Sequence, residues 1–145
     1  MPLDVSSADR VFRSSVESGE LPAADFNHRA HLRLAYVYLA EHQSDANEAY
    51  ERMRATLLHF LARHGVDPSK YHDTLTRAWI LAVRHFMVRT PDACSADAFI
   101  DANPVLLDSK VMLTHYSTEL LFSEQARRQF VEPDRDPIPR HERDR

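Results

Sequence analysis

Two histidines, His28 and His31, stand three residues apart at the start of an apolar stretch. A helix advances about 100° per residue, so both rings fall on the face that carries the following apolar side chains. Arg29 and Arg33 are expected to point the other way, toward water. Two imidazoles one turn apart can share a metal ion, one of them can act as an acid or base, or both can be hydrogen-bonded core residues. The same arc of about 120° also holds Leu32, Ala35, Tyr38, Leu39 and His42.

The order of the predicted helices brings a third histidine to the same place. Short turns predict that the second, third and fourth helices run up, down and up. The start of the second, the end of the third and the start of the fourth therefore meet at one end of the bundle. Those positions carry His28 and His31, then His64, then His72. His64 is an uncertain fourth member, because a histidine in the last helical turn typically acts as a C-terminal cap. His115 is an outside candidate.

Three convergent imidazoles predict a metal site. We expect His28, His31 and His72 to bind the metal and to leave an open position for water or substrate. N–H groups at two helix starts make this end positive, which favours the neutral imidazole that ligates metals. Histidine-rich ligation suits a divalent transition metal, Zn, Fe, Cu or Ni. Tyr71 and Thr76, beside His72, are the expected catalytic side chains, because their hydroxyls can orient a ring nitrogen or a substrate.

Several other kinds of site are disfavoured. The sequence has no H-E-x-x-H zinc-protease motif, no E-x-x-H pair, no Gly-rich phosphate loop and no nucleophile elbow. The single cysteine, Cys94, can form neither an internal disulfide nor a thiolate metal cage. A net charge of −4 without a basic cluster disfavours nucleic acid, and no apolar run reaches the length of a membrane span. We therefore expect a cytoplasmic protein that acts on a small-molecule substrate.

Composition predicts an all-α fold. The 145 residues are 43% hydrophobic and include two glycines, which disfavours turn-rich β-sandwiches and barrels. We expect a single domain over residues 1–131, folded as a compact bundle of roughly five to seven helices. Residues 132–145 are rich in proline and charge and hold one aliphatic residue, Ile138. They predict a flexible charged C-terminal tail.

Apolar periodicity and capping residues set the expected helix boundaries. Asp25 and Ser44 are the expected N-caps of the second and third helices. Pro68 is expected at the first position of the fourth. The expected helices span about 7–19, 26–41, 46–64, 70–88, 96–102, 105–116 and 123–130.

Four motifs resemble a family of small bacterial all-helical proteins whose activity is uncharacterised. They are F-x-H-x-x-H-L from Phe26, K-Y-H-D-T-L-T from Lys70, H-Y-S from His115 and V-E-P-D from Val131. The resemblance spans about residues 25–135 and implies a shared helical fold. That family usually carries glutamate where Asp73 stands here, so the carboxylate of this chain has the shorter reach.

The leading functional hypothesis is a small His-ligated metalloprotein, an enzyme that acts on a small molecule at one end of the bundle. The first alternative is a non-catalytic helical module that binds a ligand or a partner and uses its histidines for core hydrogen bonds. The second alternative is a metal-free enzyme in which one histidine carries the proton.

Overall fold

The computed structural model describes residues 4–139, and over this range the protein is all-helical. This confirms the predicted all-α bundle. Four short 3₁₀ segments connect or extend the helices: Ala23–Asp25, Pro68–Lys70, Pro104–Leu107 and Ser109–Thr114. Within the described range, no helix has both the length and the apolar character needed to cross a bilayer. The helices are α1 (Ser7–Ser18), α2 (His28–Glu41), α3 (Ala46–Arg63), α4 (Asp73–Arg89), α5 (Ala96–Ala102), α6 (Thr118–Leu121) and α7 (Glu124–Arg128).

Helix α2 is the centre of the bundle and packs against α1, α3, α4 and α5. Every residue from Leu34 to Leu39 is at most 1% exposed. A helix that is apolar on all sides is stable only when other helices cover all of them. Its two tyrosines keep their hydroxyls paired, Tyr36 donating to the Asp4 carbonyl and Tyr38 to the Glu17 carboxylate, both at 2.6 Å.

The arginines near the start of α2 are paired with carboxylates, and Arg29, whose side chain is 41% exposed, also faces water as expected. Arg33 Nε donates to Asp9 Oδ1 at 3.0 Å, and Arg29 forms ion pairs with two carboxylates of α5. Asp9 is 1% exposed and also accepts from the backbone N–H groups of Ser6 and Ala96. Burial alone would raise the pKa of Asp9, but these hydrogen bonds and Arg33 hold it below its usual value. One buried carboxylate therefore ties α1, α2 and α5 together.

Two predicted N-caps are wrong. Asn27 caps α2, since its side chain accepts from the Ala30 N–H at 2.9 Å, and Asp25 instead lies in the preceding 3₁₀ segment. Asp45 caps α3, because Ser44 has a φ of 62°, which is incompatible with the extended backbone of an N-cap.

Two predicted helical stretches also differ in the structure. Helix α4 begins at Asp73 rather than near residue 70, because 68–70 form a separate 3₁₀ turn and His72 becomes the N-cap. The stretch 105–116 is not one α-helix but parts of two 3₁₀ segments that meet at Asp108. The carboxylate of Asp108 accepts from the Lys110 N–H at 3.0 Å and so starts a new turn.

The first part of the predicted C-terminal tail lies against the body of the protein. Ile138 is 3% exposed. Asp134 accepts from the Ser117 N–H at 2.8 Å and from the Ser117 hydroxyl at 2.6 Å. Over 132–139 the chain is thus held by apolar burial and by hydrogen bonds. Residues 140–145 of the predicted tail lie outside the described residues.

The packing of this segment predicts a stability loss at Ile138. Ile138→Ala should lower the free energy of unfolding by about 2 kcal/mol, because it removes buried apolar area and leaves a cavity. Urea denaturation measures the change. Asp136→Ala, at an exposed position of the same segment, is the matched control and should change little. Equal, negligible effects of both substitutions would mean that the segment is solvated, as its composition predicts.

Candidate functional site

A cavity of about 420 Å³ lies where three helix ends meet. Its wall comes from the start of α2, the last turns of α3 and the stretch from Val66 to Thr76. The predicted meeting of these helix ends is therefore observed. Much of the remaining wall is apolar, including Phe26, Leu57, Phe60 and Leu61. All five predicted site residues line this cavity: His28, His31, Tyr71, His72 and Thr76.

His28 is the first residue of α2, and its ring is held in place by the neighbouring segment. Its Nε2 donates to the Leu106 carbonyl at 2.9 Å, which places a proton on Nε2. The ring also packs edge-on against Trp79, with centroids 4.8 Å apart. His28 thus links the start of α2 to the 104–107 segment and to α4.

His31 is the unpaired histidine of the cavity. Its Nε2 is buried and has no hydrogen-bond partner among the described residues. Burial, and secondarily the charge of nearby His28, lowers the pKa of His31 to about 4. Phe26 packs edge-on against the ring at 5.9 Å. The imidazole is therefore neutral at pH 7 and retains unused hydrogen-bonding capacity.

His72 is the N-cap of α4, and both of its ring nitrogens are hydrogen-bonded. Nδ1 accepts from the Leu75 N–H at 3.1 Å, and Nε2 donates to the Leu121 carbonyl at 2.7 Å. An amide N–H only donates and a carbonyl only accepts, so the ring is neutral with its proton on Nε2. Burial lowers the pKa of His72, in agreement with this state. The Thr76 hydroxyl donates to the His72 carbonyl at 2.8 Å.

The predicted metal set stays a prediction. Within residues 4–139, no three His, Cys, Asp or Glu side chains are arranged as a group that could hold a metal ion. His28, His31 and His72 line one cavity, but the free electron pair of His72 accepts the capping hydrogen bond. A metal at His72 would have to replace that bond.

The hydroxyl of Tyr71 is bonded to a buried carboxylate that the sequence did not indicate as part of the site. Tyr71 donates to Asp73 Oδ1 at 2.7 Å, and Tyr50 donates to the same carboxylate at 2.7 and 2.9 Å. Burial, followed by the charge and hydrogen bond of Asp73, raises the pKa of Tyr71 and brings that of Tyr50 to about 12. Both phenols are thus neutral donors. The sequence places Tyr50 on the inner face of α3, and a buried phenol needs a hydrogen-bond partner. This requirement could have indicated a polar partner for Tyr50.

The two outside candidates do not line the cavity. His64 follows α3 as its C-cap and packs on Phe60, with centroids 4.3 Å apart. This agrees with the expected cap position, although its Nε2 is buried and has no hydrogen-bond partner within residues 4–139. His115 Nδ1 donates to the Asp136 carbonyl at 2.7 Å and so holds the C-terminal segment.

A second cavity, of about 360 Å³, borders the first. The two cavities share His28, His31 and Leu75 in their walls. The rest of the second wall comes from α4, from residues 109–113 and from the end of α6. His28 and His31 therefore lie between two cavities rather than at the closed end of one.

The chain matches no family model, no curated protein and no solved structure. The geometry of the histidine end is therefore the basis of the functional argument.

His72 makes two hydrogen bonds, one that caps α4 and one to the Leu121 carbonyl, and the loss of each should lower stability separately. His72→Ala should lower the free energy of unfolding by about 2–3 kcal/mol, since it removes a cap and leaves the Leu121 carbonyl unpaired. His72→Asn should recover about 1 kcal/mol, because asparagine can cap α4 but is too short to reach Leu121. Chemical denaturation of the three proteins gives the comparison. Two equally stable variants would show that His72 does not cap the helix.

The lowered pKa of His31 predicts a stability that depends on pH. Between about pH 6.5 and pH 4 the unfolded chain binds the proton more strongly, so the contribution of His31 is complete above pH 6.5 and disappears as the pH falls to 4. The shift corresponds to about 3 kcal/mol. His31→Leu should reduce the pH dependence of the free energy of unfolding between pH 4 and pH 6.5. His59→Leu, at an exposed position of α3, should leave it unchanged. Urea denaturation at several pH values tests this, and identical slopes for all three proteins would contradict it.

Proposed function

We propose that the protein binds a small molecule in the cavity at the histidine end, and that His31 bonds the polar group of that molecule. The observation that carries the proposal is the buried, unpaired Nε2 of His31 in the wall of a cavity. An unpaired buried polar atom costs about 1–3 kcal/mol, and a bound hydroxyl, amide or carboxylate would offset that cost. A flip of the imidazole about Cβ–Cγ exchanges nitrogen and carbon positions, so the ring can adopt the orientation that a bound ligand requires.

The composition of the wall supports a ligand with an apolar body. Phe26, Phe60 and the leucines around them favour an aromatic or aliphatic group, and cavities of about 300–1,000 Å³ typically enclose most of a small ligand. The Tyr71 hydroxyl is already hydrogen-bonded to Asp73, and both ring nitrogens of His72 are hydrogen-bonded to backbone groups. The buried Nε2 of His31 has no partner among the described residues and is left for a ligand.

A matched pair of probes tests the role of His31. The compounds 2-naphthol and 2-methylnaphthalene have nearly the same shape, but only the first carries a hydroxyl. Wild-type protein should bind the naphthol about fivefold more tightly, the value of one hydrogen bond of about 1 kcal/mol. His31→Leu should remove the preference, and the surface control His59→Leu should keep it. Isothermal titration calorimetry measures all six affinities.

Two results would overturn the proposal. The first is that neither compound binds to the wild-type protein. The second is a preference for the naphthol that persists in His31→Leu.

A second candidate function, metal binding by His28, His31 and His72, is supported by the presence of all three in one cavity wall. In that state His72 would exchange its capping bond for the metal. Zn²⁺, Ni²⁺ or Cu²⁺ added to chelator-treated protein should then raise the melting temperature, because a ligand that binds only the folded state stabilises it. His31→Leu should not respond. An unchanged melting temperature of the wild-type protein with each metal would contradict this candidate.

A further inference from the structure

The charges around the two cavities are of one sign. Lys70 lines the first cavity and Lys110 the second, and no aspartate or glutamate of the described chain lines either. The chain as a whole has a net charge of −4. Lysines in the wall favour an anionic ligand group, and the carboxylates nearby, Asp73 and Asp108, belong to neither wall and already accept hydrogen bonds from Tyr71 and the Lys110 N–H.

The second cavity offers two polar side chains next to each other. Ser109 and Lys110 are consecutive, and both line it together with His28 and His31. The remaining second wall includes the apolar side chains of Trp79, Met112 and Leu121.

We propose that the ligand is an amphipathic carboxylic acid, a deepening that rests on the proposed function. Its apolar body lies in the first cavity, among Phe26, Phe60 and Leu61. Its carboxylate lies at the shared wall, where the His31 N–H donates to one oxygen and Lys110, with Ser109, bonds the other. The neutral His31 ring can carry its proton on Nε2, so it is able to donate to an anion.

A matched acid and alcohol test the class of ligand. 2-Naphthylacetate and 2-(2-naphthyl)ethanol share the ring system and spacer and differ in charge. Wild-type protein should prefer the acid about fivefold at low salt, and the preference should shrink as NaCl is added, because Lys110 is exposed. Lys110→Met should remove the preference. Arg10→Met, at an exposed position of α1 that lines neither cavity, is the matched control and should keep it.

Methyl NMR locates the bound acid. Met112 is 1% exposed and lines the second cavity, whereas Met53 and Met87 are buried and line neither. In protein labelled at the methionine methyl groups, 2-naphthylacetate should shift the Met112 signal, and the signals of Met53 and Met87 should move less.

The outcomes separate this inference from the proposed function. Equal affinities for acid and alcohol, an unshifted Met112 methyl, or a preference that Lys110→Met keeps would overturn the carboxylate proposal. Each of these leaves binding of 2-naphthol, and with it the proposed function, intact. If none of the naphthyl compounds binds, 2-naphthol included, both proposals fail.

Discussion

Helix α2 is buried on every side, and this burial determines where the other helices lie. Because residues 34–39 have almost no contact with water, four other helices must surround α2. The first turn of α2 marks the end of this core, and the neighbouring helices end or begin there too. A charged group at such a place would lose its hydration. A neutral imidazole is tolerated, and burial lowers the pKa of His31 to about 4.

At the start of α4, side chains hydrogen-bond to backbone groups of the C-terminal part of the chain. His72 donates to the Leu121 carbonyl at 2.7 Å, and the Thr74 hydroxyl donates to the Gln129 carbonyl at 3.0 Å and accepts from the Val131 N–H at 3.1 Å. These bonds attach the C-terminal part of the chain to α4. Leu121 in turn lines the second cavity. His72 thus connects the start of α4 to Leu121, in another part of the cavity wall.

The sequence predicted the fold well because periodic apolar residues and short turns determine how α2, α3 and α4 pack. The same topology predicted that His28, His31 and His72 share one end. The sequence did not predict that His72 caps α4, because the apolar pattern continues before the true start of the helix at Asp73 and so places His72 inside it. The Tyr50–Asp73 contact joins residues far apart in sequence, so periodicity within one helix carries no sign of it. Ile138 likewise lies in a segment whose hydrogen bonds reach His115 and Ser117, about twenty residues earlier, and local periodicity gives no sign of such contacts.

In the proposed function, His31 is a neutral imidazole whose unpaired nitrogen bonds the ligand. Nitrogen-15 NMR of the histidine side chains measures this directly, because the ring shifts report both protonation and hydrogen bonding. Among the nine histidines of the chain, His31 should stay neutral until the pH falls to about 4, and 2-naphthol should move its ring signals at pH 7. A His31 that titrates near its ordinary pKa of about 6.5, with signals that the naphthol leaves unchanged, would contradict the account.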